Sequence, residues 1–314
     1  MPTMRIAILS FLAIMLCDAA SAQQTDSPLR TTDGHPDFHG VWTNRWTTPL
    51  ERMAPGPLNI SEAEGEALHS AFLARLDAAN PLGVRARDLT GPVVVRGQAR
   101  SSLIVDPPDG LIPYTAEGRA RRSRIGANGT EGDEGPERRN GTERCLISGN
   151  GHAPFLSQPA NNNRQIVQTR DHVVIFTESY NQLRIIPLDG TSGPVLAWGG
   201  SSAGRWEGDT LVVETRGFSE GDRLRNASGG TTFPITPRTL ITERFTRTGP
   251  DEVLYRFSID DPVLYSQVWT GESVFARSSE RLFEFACHEG NYSMANILGG
   301  ARITESRAAA KAKP

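Results

Sequence analysis

The chain lacks a hydrophobic run long enough to cross a bilayer: its longest, Ile6 to Cys17, is far short of the roughly 20 residues a spanning helix needs. Cysteine is scarce, three in 314 residues, and one of these lies inside that run. There is no Cys-x-x-Cys and no His-Glu-x-x-His, so the common zinc signatures are missing. A Walker loop, a dinucleotide fingerprint and parallel βαβ alternation are missing too, and neither a nucleotide cofactor nor any other is expected. No basic excess points to nucleic acid, since the formal net charge is −3. Aromatic residues make up only 7%, whereas there are 31 Gly and 21 Pro, which describes many turns joining short strands rather than a helical bundle.

What is present begins with Arg5, the apolar run and Ala20-Ser21-Ala22, the charged, apolar and small-x-small order of a secretory leader. Residues 1–22 are expected to be removed, leaving a periplasmic or secreted chain from about Gln23 with no integral membrane segment. A lipid anchor on Cys17 is the competing reading, but Leu16 stands where a small residue is wanted. Cleavage takes Cys17 and leaves Cys145 and Cys287, which an oxidising compartment would pair. The bridge would close a loop of 142 residues, worth about 4–5 kcal/mol in the chain-entropy model, and set Glu143-Arg144 beside His288-Glu289. Two separately buried thiols are the alternative.

Ser61-Glu62-Ala63-Glu64 is a capping box, and Leu68, Phe72, Leu73 and Leu76 follow at helical spacing, predicting one N-terminal helix over about 61–79 that Asn80-Pro81 stops. A shorter helix is expected after Thr115, through Glu117 to Arg124. Residues 126–142 hold almost nothing apolar and read as a flexible loop. From there on strand patterns dominate: Gln165–Thr169, Val173–Glu178, Leu183–Leu188, Thr210–Thr215, Leu240–Thr246, Val253–Ile259, Leu264–Phe275 and Leu282–Ala286. Turn chemistry such as Thr248-Gly249-Pro250-Asp251 joins them. The expected fold is mainly β, an antiparallel meander closing into a lipocalin-like or related barrel or sandwich over 143–305. Residues 23–125 would add strands at Gly40–Trp46, Val93–Val95 and Leu103–Val105 and pack their helix on the sheet, and 306–314 would be a disordered tail.

Gly40-Val41-Trp42 and Gly204-Arg205-Trp206 are Gly-x-Trp units, found at the first strand of lipocalin-type barrels, where the Trp plugs one end; two ordinary sheet tryptophans are the plainer description. Asp33-Gly34-His35-Pro36-Asp37-Phe38-His39-Gly40-Val41-Trp42 together with Cys287-His288-Glu289-Gly290-Asn291-Tyr292 resembles segments of a bacterial family of uncharacterised exported proteins. Glu143-Arg144-Cys145-Leu146, Arg184-Ile185-Ile186-Pro187-Leu188-Asp189-Gly190, Arg205-Trp206-Glu207-Gly208-Asp209-Thr210-Leu211-Val212-Val213 and Asn296-Ile297-Leu298 extend the likeness over nearly the whole mature chain. The resemblance implies export and a β-rich architecture, and no activity.

Four sites are candidates. Gly200-Ser201-Ser202-Ala203-Gly204 matches a nucleophile elbow, and Ser202, Asp260 or Asp261, and His288 fall in hydrolase order, but an elbow needs a helix directly after the serine and a strand follows instead. His288 as acid or base, Glu289 as its orienting partner and Arg144 as anion clamp form the second candidate, drawn together by the bridge; the same groups serve equally well to anchor the C-terminal segment. His35, Asp37 and His39 could ligate zinc or copper only from a loop, because Pro36 denies them a helix, and no metal is assigned. Asn161-Asn162-Asn163-Arg164 offers amides to a sugar or carboxylate, or merely makes a turn. The reading favours binding of a small organic or saccharide ligand near the strand ends by Trp42, Asn163, Arg184, Trp206, Asn291 and Tyr292. A hydrolase or lyase using His288, and a purely structural envelope protein, are the alternatives.

Overall fold

The computed structural model describes residues 29–79, 89–125, 132–147, 151–191, 193, 196–227 and 231–311; the expected leader and the Asn80-Pro81 stop lie outside them. The chain is mainly β. Strands β1 (Gly40–Thr43), β2 (Asn59–Ile60), β3 (Val94–Val95), β4 (Gln98–Arg100) and β5 (Ile104–Asp106) precede β6 (Asn163–Gln168), β7 (His172–Thr177) and β8 (Gln182–Pro187). They are followed by β9 (Ser201–Glu207), β10 (Thr210–Arg216), β11 (Leu224–Asn226), β12 (Thr232–Pro234), β13 (Leu240–Arg247), β14 (Glu252–Asp260) and β15 (Trp269–Ser278). Among the described residues three α-helices complete the set: α1 (Glu62–Ala79), α2 (Ala116–Ile125) and α3 (Ser293–Lys311). None is long and apolar enough to cross a membrane. Ser61 and Glu64 exchange the capping-box hydrogen bonds at the start of α1, at 2.8 Å and 3.3 Å, and the Thr115 hydroxyl accepts the Gly118 N–H at 3.0 Å to cap α2.

One antiparallel ten-stranded sheet carries the molecule, in the order β8-β7-β6-β1-β15-β14-β13-β10-β9 with β5 on β15. This path reads in chain order around the sheet, from β1 through β6, β7 and β8, and from β9 back through β10, β13, β14 and β15 to β1. No ladder joins β8 to β9 among the described residues. Their side chains nevertheless meet: Arg184 of β8 donates to Ser202 Oγ of β9 at 3.2 Å, and a Cβ at Gly204 would sit 2.9 Å from Ile186 Cγ2. Glycine at 204 is what permits that approach.

Strand alternation sorts the faces. In β13, Ile241, Glu243, Phe245 and Arg247 are buried while Leu240, Thr242, Arg244 and Thr246 are less so. The interior holds Trp42, Phe245, Tyr255, Phe257, Trp269 and Phe275, and is completed by residues 151–157, every one of them buried. A non-strand segment survives there because its backbone is satisfied. Phe155 donates its N–H to the Tyr255 hydroxyl at 2.8 Å and its C=O accepts from Asn44 Nδ2 at 3.1 Å, while the Ala153 C=O accepts from Arg225 Nε at 2.7 Å. The Arg164 and Arg184 guanidiniums lie 4.5 Å and 4.9 Å from the Phe155 ring centre.

At the centre of this packing, Glu243, wholly buried, takes two hydrogen bonds from Arg184 at 3.2 Å and 2.6 Å and one from the Tyr255 hydroxyl at 2.7 Å. Burial, with the Glu243 charge beside it, holds the Tyr255 phenol far above its ordinary pKa.

Several expectations are corrected. Leu282–Ala286 is not a strand: Phe283 and Phe285 donate their N–H groups to side chains, Glu178 Oε1 and Asn181 Oδ1, instead of a ladder. The strand expected from Leu264 begins only at Trp269, because the Leu264 and Tyr265 N–H groups turn back to the Asp261 C=O. Residues 306–311 continue α3, whose Ala308-Ala309-Ala310 run has the highest helix propensity. The sheet is not confined to 143–305 either, since β1 and β5 are part of it. Within the expected flexible loop, Pro136–Arg138 forms a 3₁₀ turn.

Removing the Glu243 charge leaves the Arg184 guanidinium buried without its partner. Glu243→Gln is expected to lower stability by about 3–5 kcal/mol in urea unfolding followed by tryptophan fluorescence, an effect refuted by an unchanged midpoint.

Candidate ligand-binding cleft at the disulfide

Cys145 and Cys287 are bridged, with an S–S distance of 2.07 Å. The bridge joins two irregular segments. On the Cys145 side a tight turn forms, with the Cys145 N–H on the Thr142 C=O and the Leu146 N–H on the Gly141 C=O, and it places Cys145 in the left-handed region at φ 54°. Arg139 grips both oxygens of Glu143 at 2.8 Å and 2.9 Å. On the Cys287 side, Asn181 and Phe285 exchange two hydrogen bonds of 3.1 Å, and the Tyr180 and Phe285 rings stack at 4.5 Å. Tyr180 and Asn181 both take positive φ, which turns the chain after β7 so that these side chains face the C-terminal segment.

Between the segments lies an open cleft of about 640 Å³. Glu143, Glu284 and Glu289 line it with Asn161 and Asn291, the Tyr180–Phe285 ring pair and Cys287 itself. Asn291 ties the two sides together, donating through Nδ2 to the Glu143 C=O at 3.2 Å and to Cys145 Sγ at 3.0 Å. Partial burial raises the Tyr180 pKa, so the phenol stays protonated; its hydroxyl donates to the Thr142 C=O at 3.2 Å. The arrangement offers acceptors in carboxylates, donors in amides, and an apolar ring surface.

The sequence-derived residues divide sharply. The bridge brings Glu143, Glu289 and Asn291 to one cleft, but Arg144 turns away and lays its guanidinium 5.7 Å from the Trp198 ring centre. Consecutive residues of a tight turn diverge, which chain proximity to Cys145 did not reveal. His288 is exposed, and no hydrogen bond or ion pair joins it to Glu289 or Arg144 among the described residues. Tyr292 is 72% exposed and outside the lining. Trp42 is buried with its indole N–H on the Phe38 C=O at 2.8 Å, and the Arg247 and Arg277 guanidiniums each lie 5.3 Å from its ring centre. Trp206 stacks on His35 at 4.3 Å, Asn163 donates to Glu280 at 2.9 Å, and Arg184 is held by Glu243 in the interior.

Neither other candidate assembles. Ser202 sits inside β9, bonded to Thr215 Oγ1 at 2.9 Å, and Asp261 accepts from the Thr236 and Thr239 hydroxyls at 2.6 Å and 2.7 Å. No hydrogen bond links Ser202, Asp260 or Asp261, and His288 among the described residues. His39 is oriented by Asp37 at 2.6 Å and by the Gln168 N–H at 3.2 Å, while His35 lies on Trp206. No group of three His, Cys, Asp or Glu side chains converges as metal ligands among the described residues.

The sequence assigned His152 no role. It is buried, its Nε2 is 2.5 Å from Gln182 Oε1, and a Cβ at Gly199 would lie 2.3 Å from its Nδ1. Burial, reinforced by the Arg184 and Arg225 charges, lowers its pKa from 6.5 to about 3. No local pattern signals this, because the charges come from β8 and β11. The native ring refuses a proton that the unfolded chain accepts below pH 6.5, so stability is complete above that pH and falls as pH drops towards 3. From pH 7 to pH 5 this group's share of the loss is about 2 kcal/mol. Denaturant unfolding of His152→Gln at both pH values is expected to show a decline smaller by that amount, and an identical decline would refute the assignment. No family model matches the chain, and no curated protein matches it.

Proposed function

We propose that this is an exported protein, periplasmic or secreted, that binds a small polar organic molecule, with a saccharide the favoured class, in the Cys145–Cys287 cleft. The observation that carries the reading is the composition of the cleft wall, a stacked ring pair beside carboxylates and amides in about 640 Å³. Sugars present an apolar C–H face and a rim of hydroxyls, and such a wall complements both. The leader pattern and the paired cysteines support export, as does the resemblance to exported bacterial proteins.

The scaffold is read as lipocalin-like. Its strands follow one another around the sheet in chain order, β8 and β9 close on each other through side chains, and Gly40-Val41-Trp42 sets a buried tryptophan on the first strand. Lipocalin-type barrels take ligands in the lumen, whereas residues 151–157 fill this interior, and that is why the binding site is assigned to the outer cleft.

Glu289 is exposed and lines the cleft without an ion pair among the described residues, so replacing it leaves the fold intact. Saccharides selected on a glycan array and measured by calorimetry are expected to bind the oxidised protein, and Glu289→Gln to weaken them roughly tenfold, the loss of one charge-assisted hydrogen bond. Absence of any saccharide ligand, or equal affinity in the variant, contradicts the reading.

A further inference from the structure

We propose that the Cys145–Cys287 bridge is a thiol–disulfide exchange site, attacked at Cys287 by a neutral or cationic small thiol, an inference that does not depend on what the cleft binds.

The two sulfurs are not equivalent. Cys287 lines the open cleft, whereas Cys145 does not and has its Sγ covered by the Asn291 amide at 3.0 Å. An incoming thiolate therefore meets the Cys287 sulfur first. When it attacks, a new S–S bond forms to Cys287, the old bond breaks, and its electron pair leaves on Cys145 Sγ. That sulfur becomes a thiolate already facing an N–H donor, and a hydrogen bond to a charged acceptor strengthens as the charge develops. Water then protonates the leaving sulfur. A second equivalent of thiol, attacking the mixed disulfide, releases Cys287 and carries away a small-molecule disulfide, so two electrons and two protons pass from the thiols to the protein.

Three further features favour a bond made to open. Cys145 is one of few non-glycine residues with positive φ, at 54°, a conformation costing of order 1 kcal/mol or more that the bridge and its turn hold in place. The bridge restrains little of the core, because α3 buries no residue and, among the described residues, its side-chain bonds to the body are those of Arg302 to the Asp133 and Glu134 carbonyls. Glu284 and Glu289 lie in the cleft without ion pairs among the described residues, so the local field repels anionic thiols and admits cationic ones.

The test exposes the native oxidised protein briefly to cysteamine, quenches with acid, alkylates free thiols and maps both cysteines by mass spectrometry. Cysteamine on Cys287 with the alkyl group on Cys145 is the expected product. Asn291→Ala should slow its formation roughly 3- to 10-fold with tryptophan fluorescence unchanged. The anionic 3-mercaptopropionate should react more slowly than cysteamine, after correction against an exposed peptide disulfide, and the gap should close in about 1 M salt. Adducts chiefly on Cys145, or a bridge that reacts only after urea unfolds the chain, overturn the proposal. No saccharide enters the assay, so this failure is distinct from failure of the cleft as a binding site.

Discussion

The buried carboxylate of Glu243 is the constraint on which the interior depends. It stands on β13, receives the Tyr255 hydroxyl from β14, and fixes Arg184 from β8, which in turn reaches Ser202 on β9 and Thr215 on β10. The ion pair thus fixes Arg184 where its hydrogen bond to Ser202 links β8 and β9, which no backbone ladder joins among the described residues. A hydrophobic pair would bury equally well, but could not satisfy the Tyr255 hydroxyl that accepts the Phe155 N–H. The ion pair gives the Phe155 segment a polar anchor inside a largely apolar core, at the desolvation cost any buried pair carries.

The interior is filled, and the open cleft lies outside it. Residues 151–157 are buried in the interior, and at the surface the turn after β7 reaches the Cys145 turn through the Tyr180 hydroxyl on the Thr142 C=O, where Cys145 meets Cys287. The disulfide then converts two weakly packed segments into a cleft with defined walls. Its hydrogen bonds are mostly side chain to backbone, made by Asn181, Asn291 and Tyr180, so the site is held by local polar contacts rather than by core packing. Such segments belong to the less stable part of a fold, where binding and exchange sites commonly lie.

How much of this was legible depended on whether the determining contact was local. Alternation in Leu240–Thr246 is a local signal, and it sorts Glu243 and Phe245 to the interior. The cysteine count and export context pointed to the bridge. By contrast β9 was not among the expected strands, since Gly204 owes its place to Ile186 of β8 and to Leu188 just beyond it. Residues 151–157 carry no strand or helix period and are buried through partners far along the chain, Tyr255 and Asn44. The cleft was half legible: Glu289 and Asn291 were singled out, but Tyr180, Phe285 and Glu284 were not, and the direction of Arg144 was set by a turn whose left-handed residue is a cysteine, not a glycine. Arg184 was marked for a ligand, and only the fold reveals that Glu243 claims it.

The central claim is that ligands meet this protein at the disulfide cleft and not inside the sheet. Backbone amide shifts followed by NMR during titration with a bound saccharide test it most directly. The account predicts perturbations concentrated at 142–147, 180–182 and 284–293, with Trp42, Phe155 and Arg184 unmoved; shifts centred on those interior residues would contradict it.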